Sequence, residues 1–402
     1  MRFIAIADSD SYLKWAAAFL GALPEVTERE LILNETPVLP SDSQRAAALA
    51  VGGVSPDQLF SLPLAQVLNA LRSDRPDAVL IAVRGPVAAV LIRMIADLPH
   101  RPVIVTGLPG ISIPATRKAL AFRRQADLFV LHSRREIREF TLMSREYGWT
   151  HRFALATLPF VEERTGANGT DLVFAVQAVV PRTLDDRTRV LQLLVAAARA
   201  RPDRRVVIKV RGLAGERQTH DEHSSYPELL EELEDAPANL VVSTAPMSAA
   251  LDEAEGLMTV SSTAAIEAIA RGIPVIALDI FGVTAKLINP VFEGSGLFGG
   301  EEAVVRREFR HPEPAWLDDN YFHPAEDDDV AVQLEALVAA RRQGVLPARE
   351  PARKVGGKLR LAWDRKRAFG DADRTVSGAV ALAVGTPARA TVIAARKVKR
   401  AL

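Results

Sequence analysis

The chain of 402 residues contains no cysteine. That absence excludes disulfide frameworks, thiolate zinc sites and cysteine nucleophiles together. Net charge is lacking too: 50 Lys and Arg offset 50 Asp and Glu, so no overall field calls for nucleic acid as a partner. No apolar run approaches the roughly twenty residues of a membrane span. The first apolar stretch, Phe3–Ala7, meets an acid at Asp8, too early for a signal peptide. P-loop, GxSxG and HExxH patterns are missing, and nothing visible requires a metal or a cofactor. A cytoplasmic protein is expected, either free or held on the inner face of a membrane. What is present is ordinary globular composition, 48% hydrophobic and 25% charged, long enough for two domains.

Zero net charge hides an asymmetry. From Arg349 to Leu402 there are fourteen Lys plus Arg against four Asp plus Glu. Leu359, Leu361, Trp363 and Phe369 stand among Lys354, Lys358, Arg360, Arg365, Lys366 and Arg367. Two readings stand for this basic tail, taken as 346–402. It lies on an anionic membrane surface, or it forms a solvated helix packing back on an acidic body.

Short β-branched apolar runs alternate with helical patterns throughout. Phe3–Ala7, Leu31–Leu33, Ala78–Val83, Pro102–Thr106, Asp127–Leu131 and Phe153–Ala156 read as buried strands. Tyr12–Ala22, Pro86–Leu98, Pro114–Arg124 and Arg134–Tyr147 read as helices, and Ser55–Arg72 as another with Pro56 in its first turn. The polar, Gly/Asn-rich stretch Glu162–Thr170 reads as a linker. Alternation then restarts, with strands Leu172–Val176, Arg205–Val210, Asn239–Ser243, Leu257–Val260 and Pro274–Leu278. Helices Thr183–Arg201, Ser224–Leu233, Met247–Ala254, Ala264–Arg271 and Asp329–Gln343 go with them. The fold class expected is α/β: two Rossmann-like doubly wound parallel-sheet domains, 1–163 and 171–345, facing a cleft.

Ligands of open parallel sheets bind beyond the carboxyl ends of the strands. In the second half, Met258-Thr-Val leads into Ser261-Ser262-Thr263, a hydroxyl-rich helix start suited either to an anion or to plain capping. Ala264, Ala265, Ala268 and Ala270 let that helix approach its sheet closely. Lys209 and Arg211, two apart at a strand end, project to one side and can hold phosphate oxygens; surface cations are the alternative. His220, in Gln218-Thr-His-Asp-Glu-His223, is either a further phosphate donor or a loop residue. Glu267 lies one helical turn after Thr263, facing the cleft toward a ribose hydroxyl or facing solvent.

The segment Ser261–Ile276, SSTAAIEAIARGIPVI, resembles the donor half of GT-B glycosyltransferases. The resemblance is most specific from Asn239 to Gly296. It is nearest to the branch using CMP-activated acidic sugars: bacterial sialyltransferase-like, polysialyltransferase-like and Kdo-transferase-like enzymes. Those relatives carry a His-Pro pair after a middle strand of the donor domain, where this chain has Lys209-Val-Arg211-Gly212. The resemblance implies that the second domain binds a nucleotide sugar and that the serine-led turn meets its phosphate. It also implies that backbone groups in the turn Thr244-Ala-Pro246-Met247 read the base.

In the first half, Asp8 and Asp10 follow the first strand and are candidate general bases, one of them serving equally as a helix cap. His132 ends another strand and is a further candidate base or a core histidine. The loop Gly107-Leu-Pro-Gly110 leads into Arg117, Lys118, Arg123 and Arg124 and suits an anionic acceptor or a lid. The combined expectation is an inverting, metal-independent glycosyltransferase. It would move a sugar from a nucleotide-activated donor to a glycan or lipid-linked acceptor in cell-surface polysaccharide assembly. A CDP-glycerol-type glycerophosphotransferase, a GT-B-fold nucleotide-sugar epimerase and a non-catalytic nucleotide-binding scaffold are the alternatives.

Overall fold

The computed structural model describes residues 1–23, 26–159, 169–210, 225–349 and 356–387. Strand β1 (Arg2–Ala7) is buried along nearly its whole length, as a central parallel strand covered on both faces must be. Around it lie β2 (Glu28–Asn34), β3 (Leu59–Leu62), β4 (Ala78–Ala82), β5 (Val103–Gly107), β6 (Leu128–Leu131) and β7 (Phe153–Leu155). Their order is β3-β2-β1-β4-β5-β6-β7, and every pairing is parallel. Helices α1 (Asp10–Ala22), α2 (Asp42–Gly52), α3 (Leu64–Asp74), α4 (Gly85–Ala96), α5 (Arg117–Phe122) and α6 (Arg134–Glu146) make the crossovers. Alternation along β1 sends Phe3, Ala5 and Ala7 into the core under α1, and Ile4 and Ile6 into the core under α4.

The second sheet repeats the plan with β8 (Asp171–Ala175), β9 (Val206–Lys209), β10 (Leu240–Ser243), β11 (Ala254–Thr259), β12 (Val275–Leu278) and β13 (Phe298–Gly299). Its order is β10-β9-β8-β11-β12-β13, again wholly parallel. Helices α7 (Leu184–Ala200), α8 (Tyr226–Glu231), α9 (Met247–Asp252), α10 (Ala264–Ala270) and α11 (Glu301–Val305) flank it. The fold is therefore the expected pair of Rossmann-like doubly wound domains.

Three local readings change. The stretch Ser55–Arg72 is not one helix: Pro56–Gln58 forms a single 3₁₀ turn, β3 follows, and α3 starts only after Pro63. Proline disfavours the helical region for the residue before it, so Pro63 keeps Leu62 extended and β3 adds to the sheet edge. Helix α2, which the apolar pattern did not reveal, is set against α1 by close backbone approach. A Cβ on Gly52 would lie 2.3 Å from the Ala17 carbonyl carbon.

The third change concerns the chain after the second sheet. Helix α12 (Pro314–Asp319) leads the chain back, and α13 (Val330–Arg342) packs on the first sheet, not the second. Val330, Leu334, Leu337 and Val338 join the α1-side core, and the Asp328 and Asp329 carboxylates accept from the N–H groups of Thr157, just past β7, and Leu155, at its end. The stretch 171–345 expected for the second domain thus ends on the first. Helix α14 (Gly357–Phe369) follows suit, with Ala368 and Phe369 in the α4-side core, and the helix 376–387 folds back on α14. The described part of the basic tail packs on the body. The expected linker Glu162–Thr170 lies, except for its last two residues, outside the described residues.

The carboxyl edges of the two sheets face each other. Lys14 of α1 reaches Glu267 of α10 at 3.8 Å, and a Cβ on Gly110, beyond β5, would come within 2.6 Å of the Thr263 hydroxyl.

Candidate active site

On the second lobe three neighbouring strands, β9, β8 and β11, bring Lys209, Gln177 and Ser261 to one edge. Ser261 does not offer its hydroxyl to the cleft. Its N–H donates to the Gln177 side-chain carbonyl at 2.9 Å, its hydroxyl donates to the Leu287 carbonyl at 2.5 Å, and the residue is buried. The Gln177 amide donates back to the Ser261 oxygen at 3.1 Å. The expected phosphate contact from Ser261 is therefore corrected to a turn-fixing role. Ser262 and Thr263 are half-buried at the start of α10, where the Ser262 hydroxyl accepts the Ala264 N–H at 3.2 Å. Thr263 makes no side-chain cap bond. It faces Gly110 across the cleft.

Lys209 ends β9 with its side chain largely buried and its ammonium donating to the Val210 carbonyl. Arg211 and His220, its expected companions, lie outside the described residues. Glu267 does face the cleft, where its carboxylate meets Lys14 of the other lobe. Thr244 and Pro246 are exposed beyond β10, the outer strand, and Met247 opens α9 packed against the second lobe's core. The turn expected to read the base is thus at the rim, two strands from β8.

On the first lobe the candidate bases separate. Asp8 is wholly buried: one carboxylate oxygen accepts the Arg84 N–H at 3.1 Å and the other the Arg84 Nε–H at 2.9 Å. Arg84 also donates to the Thr36 hydroxyl at 3.0 Å. Burial pushes the Asp8 carboxyl pKa up, and Arg84 opposes that without cancelling it. With both oxygens engaged below the surface, Asp8 acts on Arg84 rather than on an acceptor, which corrects its expected role as base. Asp10, in the first turn of α1, is partly exposed.

His132 is corrected for a similar reason. Its ring is fully buried, its Nε2 accepts the Trp15 indole N–H at 2.8 Å, and its Nδ1 donates to the Ala156 carbonyl at 2.8 Å. Those partners fix one neutral tautomer and leave no lone pair for the cleft. Trp15 in turn demands a glycine at 107, where a Cβ would lie 2.4 Å from the indole. Burial pushes the His132 pKa below its ordinary value. The native state then stays neutral while the unfolded chain takes up a proton below about pH 6.5. Its stability contribution is whole above that pH and is lost as pH falls toward the lowered folded value. Melting temperature is expected to drop between pH 7.5 and 5.5, and His132→Gln to flatten that drop. His151, pushed down likewise by burial, supplies a residual slope. An unchanged slope in the variant would remove His132 as its source.

Glu136 and its clamp escaped the sequence reading. Glu136 is fully buried and accepts the His132 N–H at 2.8 Å, the Ser112 N–H at 3.0 Å and the Tyr321 hydroxyl at 2.6 Å. Burial beside that carboxylate pushes the Tyr321 phenol well above its ordinary range. Along the same helix, Arg135 donates to the Pro290 and Val291 carbonyls and Arg138 grips Asp319 through both carboxylate oxygens. Arg134 pairs with Asp318 and Asp327. Helix α6 therefore ties the first lobe to the returning segment. The run Arg134-Arg-Glu-Ile-Arg138 was the available signal, but its partners lie far along the chain.

Solved structures with the same architecture include one from Listeria monocytogenes described as a "putative UDP-N-acetylglucosamine 2-epimerase". It has a TM-score of 0.56 and 13% identity, covering 86% of this chain and 96% of that one. MnaA from S. aureus, solved with UDP, has a TM-score of 0.53 and 11% identity over 88% and 99% of the two chains. HepE from Anabaena, in complex with UDP and glucose, has a TM-score of 0.50 and 13% identity over 85% and 100%. At such identities the likeness shows the fold, which is GT-B. No curated protein matches the chain. One family model matches residues 3–337, most of the chain and both lobes. The chain belongs to the family described as "Putative glycosyltransferase (DUF6716)".

Proposed function

We propose that the chain transfers a sugar from a nucleotide-activated donor on the second lobe to an acceptor hydroxyl presented at the first. The observation that carries this reading is the meeting of two strand-end loops, at Gly110 and Thr263, across the cleft of a two-lobed fold in a glycosyltransferase family. The donor phosphate rests against the side chains of Ser262 and Thr263, with Lys209 and Arg211 supplying positive charge and His220 a further donor. Glu267 exchanges Lys14 for a ribose hydroxyl. Thr244, Pro246 and Met247 border the base.

The reaction is read as inverting and metal-independent. The acceptor hydroxyl gives its proton to the Asp10 carboxylate and its oxygen bonds to the anomeric carbon through an oxocarbenium-like transition state. The bond from that carbon to the phosphate oxygen breaks, and its electron pair leaves on the nucleotide, whose charge the cations balance. A CMP-linked acidic sugar is the donor that the sequence resemblance favours, and a surface glycan the acceptor.

A thermal-shift panel of CMP, UDP, GDP, CDP and TDP tests the donor site. One nucleotide is expected to raise the melting temperature selectively, a shift set by its concentration relative to its dissociation constant. That shift should shrink in Lys209→Ala, with about 1.5–3 kcal/mol of binding lost if the ammonium touches charged oxygen. A flat panel overturns the donor reading. Release of free nucleotide from the matching sugar nucleotide only when an acceptor is supplied separates transfer from epimerisation.

A further inference from the structure

We infer that the C-terminal helical hairpin, α14 with the helix 376–387, is a docking surface for an anionic lipid bilayer. Its inner side is settled: Trp363 packs with Ala362 and Ala381, and a Cβ on Gly385 would lie 2.4 Å from the Trp363 ring. The outer side of the second helix has no such cover. Val376, Val380 and Val384 recur at i, i+4 and i+8, one stripe of a helix, and are 80%, 52% and 54% exposed. Leu359 and Leu382 are exposed beside them in the sequence of the same two helices. An uncovered aliphatic stripe of this kind marks an interaction site on a soluble chain.

Charge decides which occupant it takes. Exposed Lys358, Arg360, Arg367 and Arg374 belong to the same hairpin, and the guanidinium carbons of Arg360 and Arg367 sit 4.9 and 4.7 Å from the Trp363 ring centre. A second copy docked on the same face would set these cations against one another. A bilayer bearing anionic headgroups satisfies both the valines and the cations. The hairpin tip also stands near the cleft: a Cβ on Gly370 would meet Pro37, in the loop leaving the carboxyl end of β2. A membrane on this face therefore borders the acceptor lobe.

Flotation of the full chain with vesicles tests the inference. Binding is expected to phosphatidylglycerol/phosphatidylcholine vesicles and not to pure phosphatidylcholine, and to weaken in 0.5 M salt. The triple variant Lys358→Gln, Arg367→Gln, Arg374→Gln should lower partitioning roughly a hundredfold, about fivefold per cation. Val376→Ser, Val380→Ser, Val384→Ser should lower it about tenfold or more while keeping the wild-type melting temperature, since all three side chains are mostly exposed. If the serine variant melts early, the charge variant alone decides. Equal binding to both vesicle types overturns the inference, as does a stable dimer by light scattering that the valine substitutions dissolve.

Discussion

Asp10→Asn is expected to lower kcat by about 10²–10⁴-fold while leaving the thermal shift by the donor nucleotide intact. The size follows from removing a proton acceptor that acts only as the acceptor oxygen begins to bond. The intact shift follows from geometry, because Asp10 belongs to α1 of the first lobe and the donor groups belong to the second. A variant that kept its turnover would take the base away from Asp10. One that lost nucleotide binding as well would point to a disturbed cleft, not a missing base.

Asp8 supplies the contrast that makes this result readable. Asp8→Asn leaves half-buried Arg84 with a neutral partner, so its first effect is on the Arg84 side chain and on stability. Two carboxylates two residues apart thus answer differently: one through chemistry at constant fold, the other through the fold itself. Sequence alone does not separate them, since both follow the first strand and both suit a helix start. What separates them is Arg84, 76 residues away, which holds both Asp8 carboxylate oxygens.

That pattern describes how much of the molecule is legible. The central strands are legible because a parallel strand covered on both faces must be apolar at every position, and runs such as Ala78–Ala82 satisfy nothing else. Edge strand β3 is not, because Phe60 and Ser61 are exposed and Pro56 and Pro63 imitate helix punctuation. The helical pattern of α13 shows, but a helix with Leu334 and Leu337 on one face does not announce which sheet it covers. Beyond the strands, the turns fall where the strand–helix alternation puts them, but the side-chain partners of those turns are not legible. Ser261 is turned inward by Gln177 from 84 residues away, and no local pattern encodes that pairing.

Glu136→Ala should cost about 3–5 kcal/mol of stability, the largest structural effect of any single substitution considered in this chain. Three donors lose their acceptor at once in a site without solvent: the His132 and Ser112 N–H groups and the Tyr321 hydroxyl. The last of these comes from 185 residues away, so the loss loosens one lobe against the other as well as the first lobe internally. Tyr321→Phe removes only the hydroxyl, leaves the carboxylate its two backbone donors, and should cost about 1–2 kcal/mol. The double variant then reports the coupling directly. Once Glu136 is gone, removing the Tyr321 hydroxyl relieves an unpaired buried donor, so the second substitution should cost much less than it does alone. Urea denaturation of the four proteins measures it. Strictly additive losses would mean that Tyr321 and Glu136 contribute separately, and that their hydrogen bond is not what ties the lobes together.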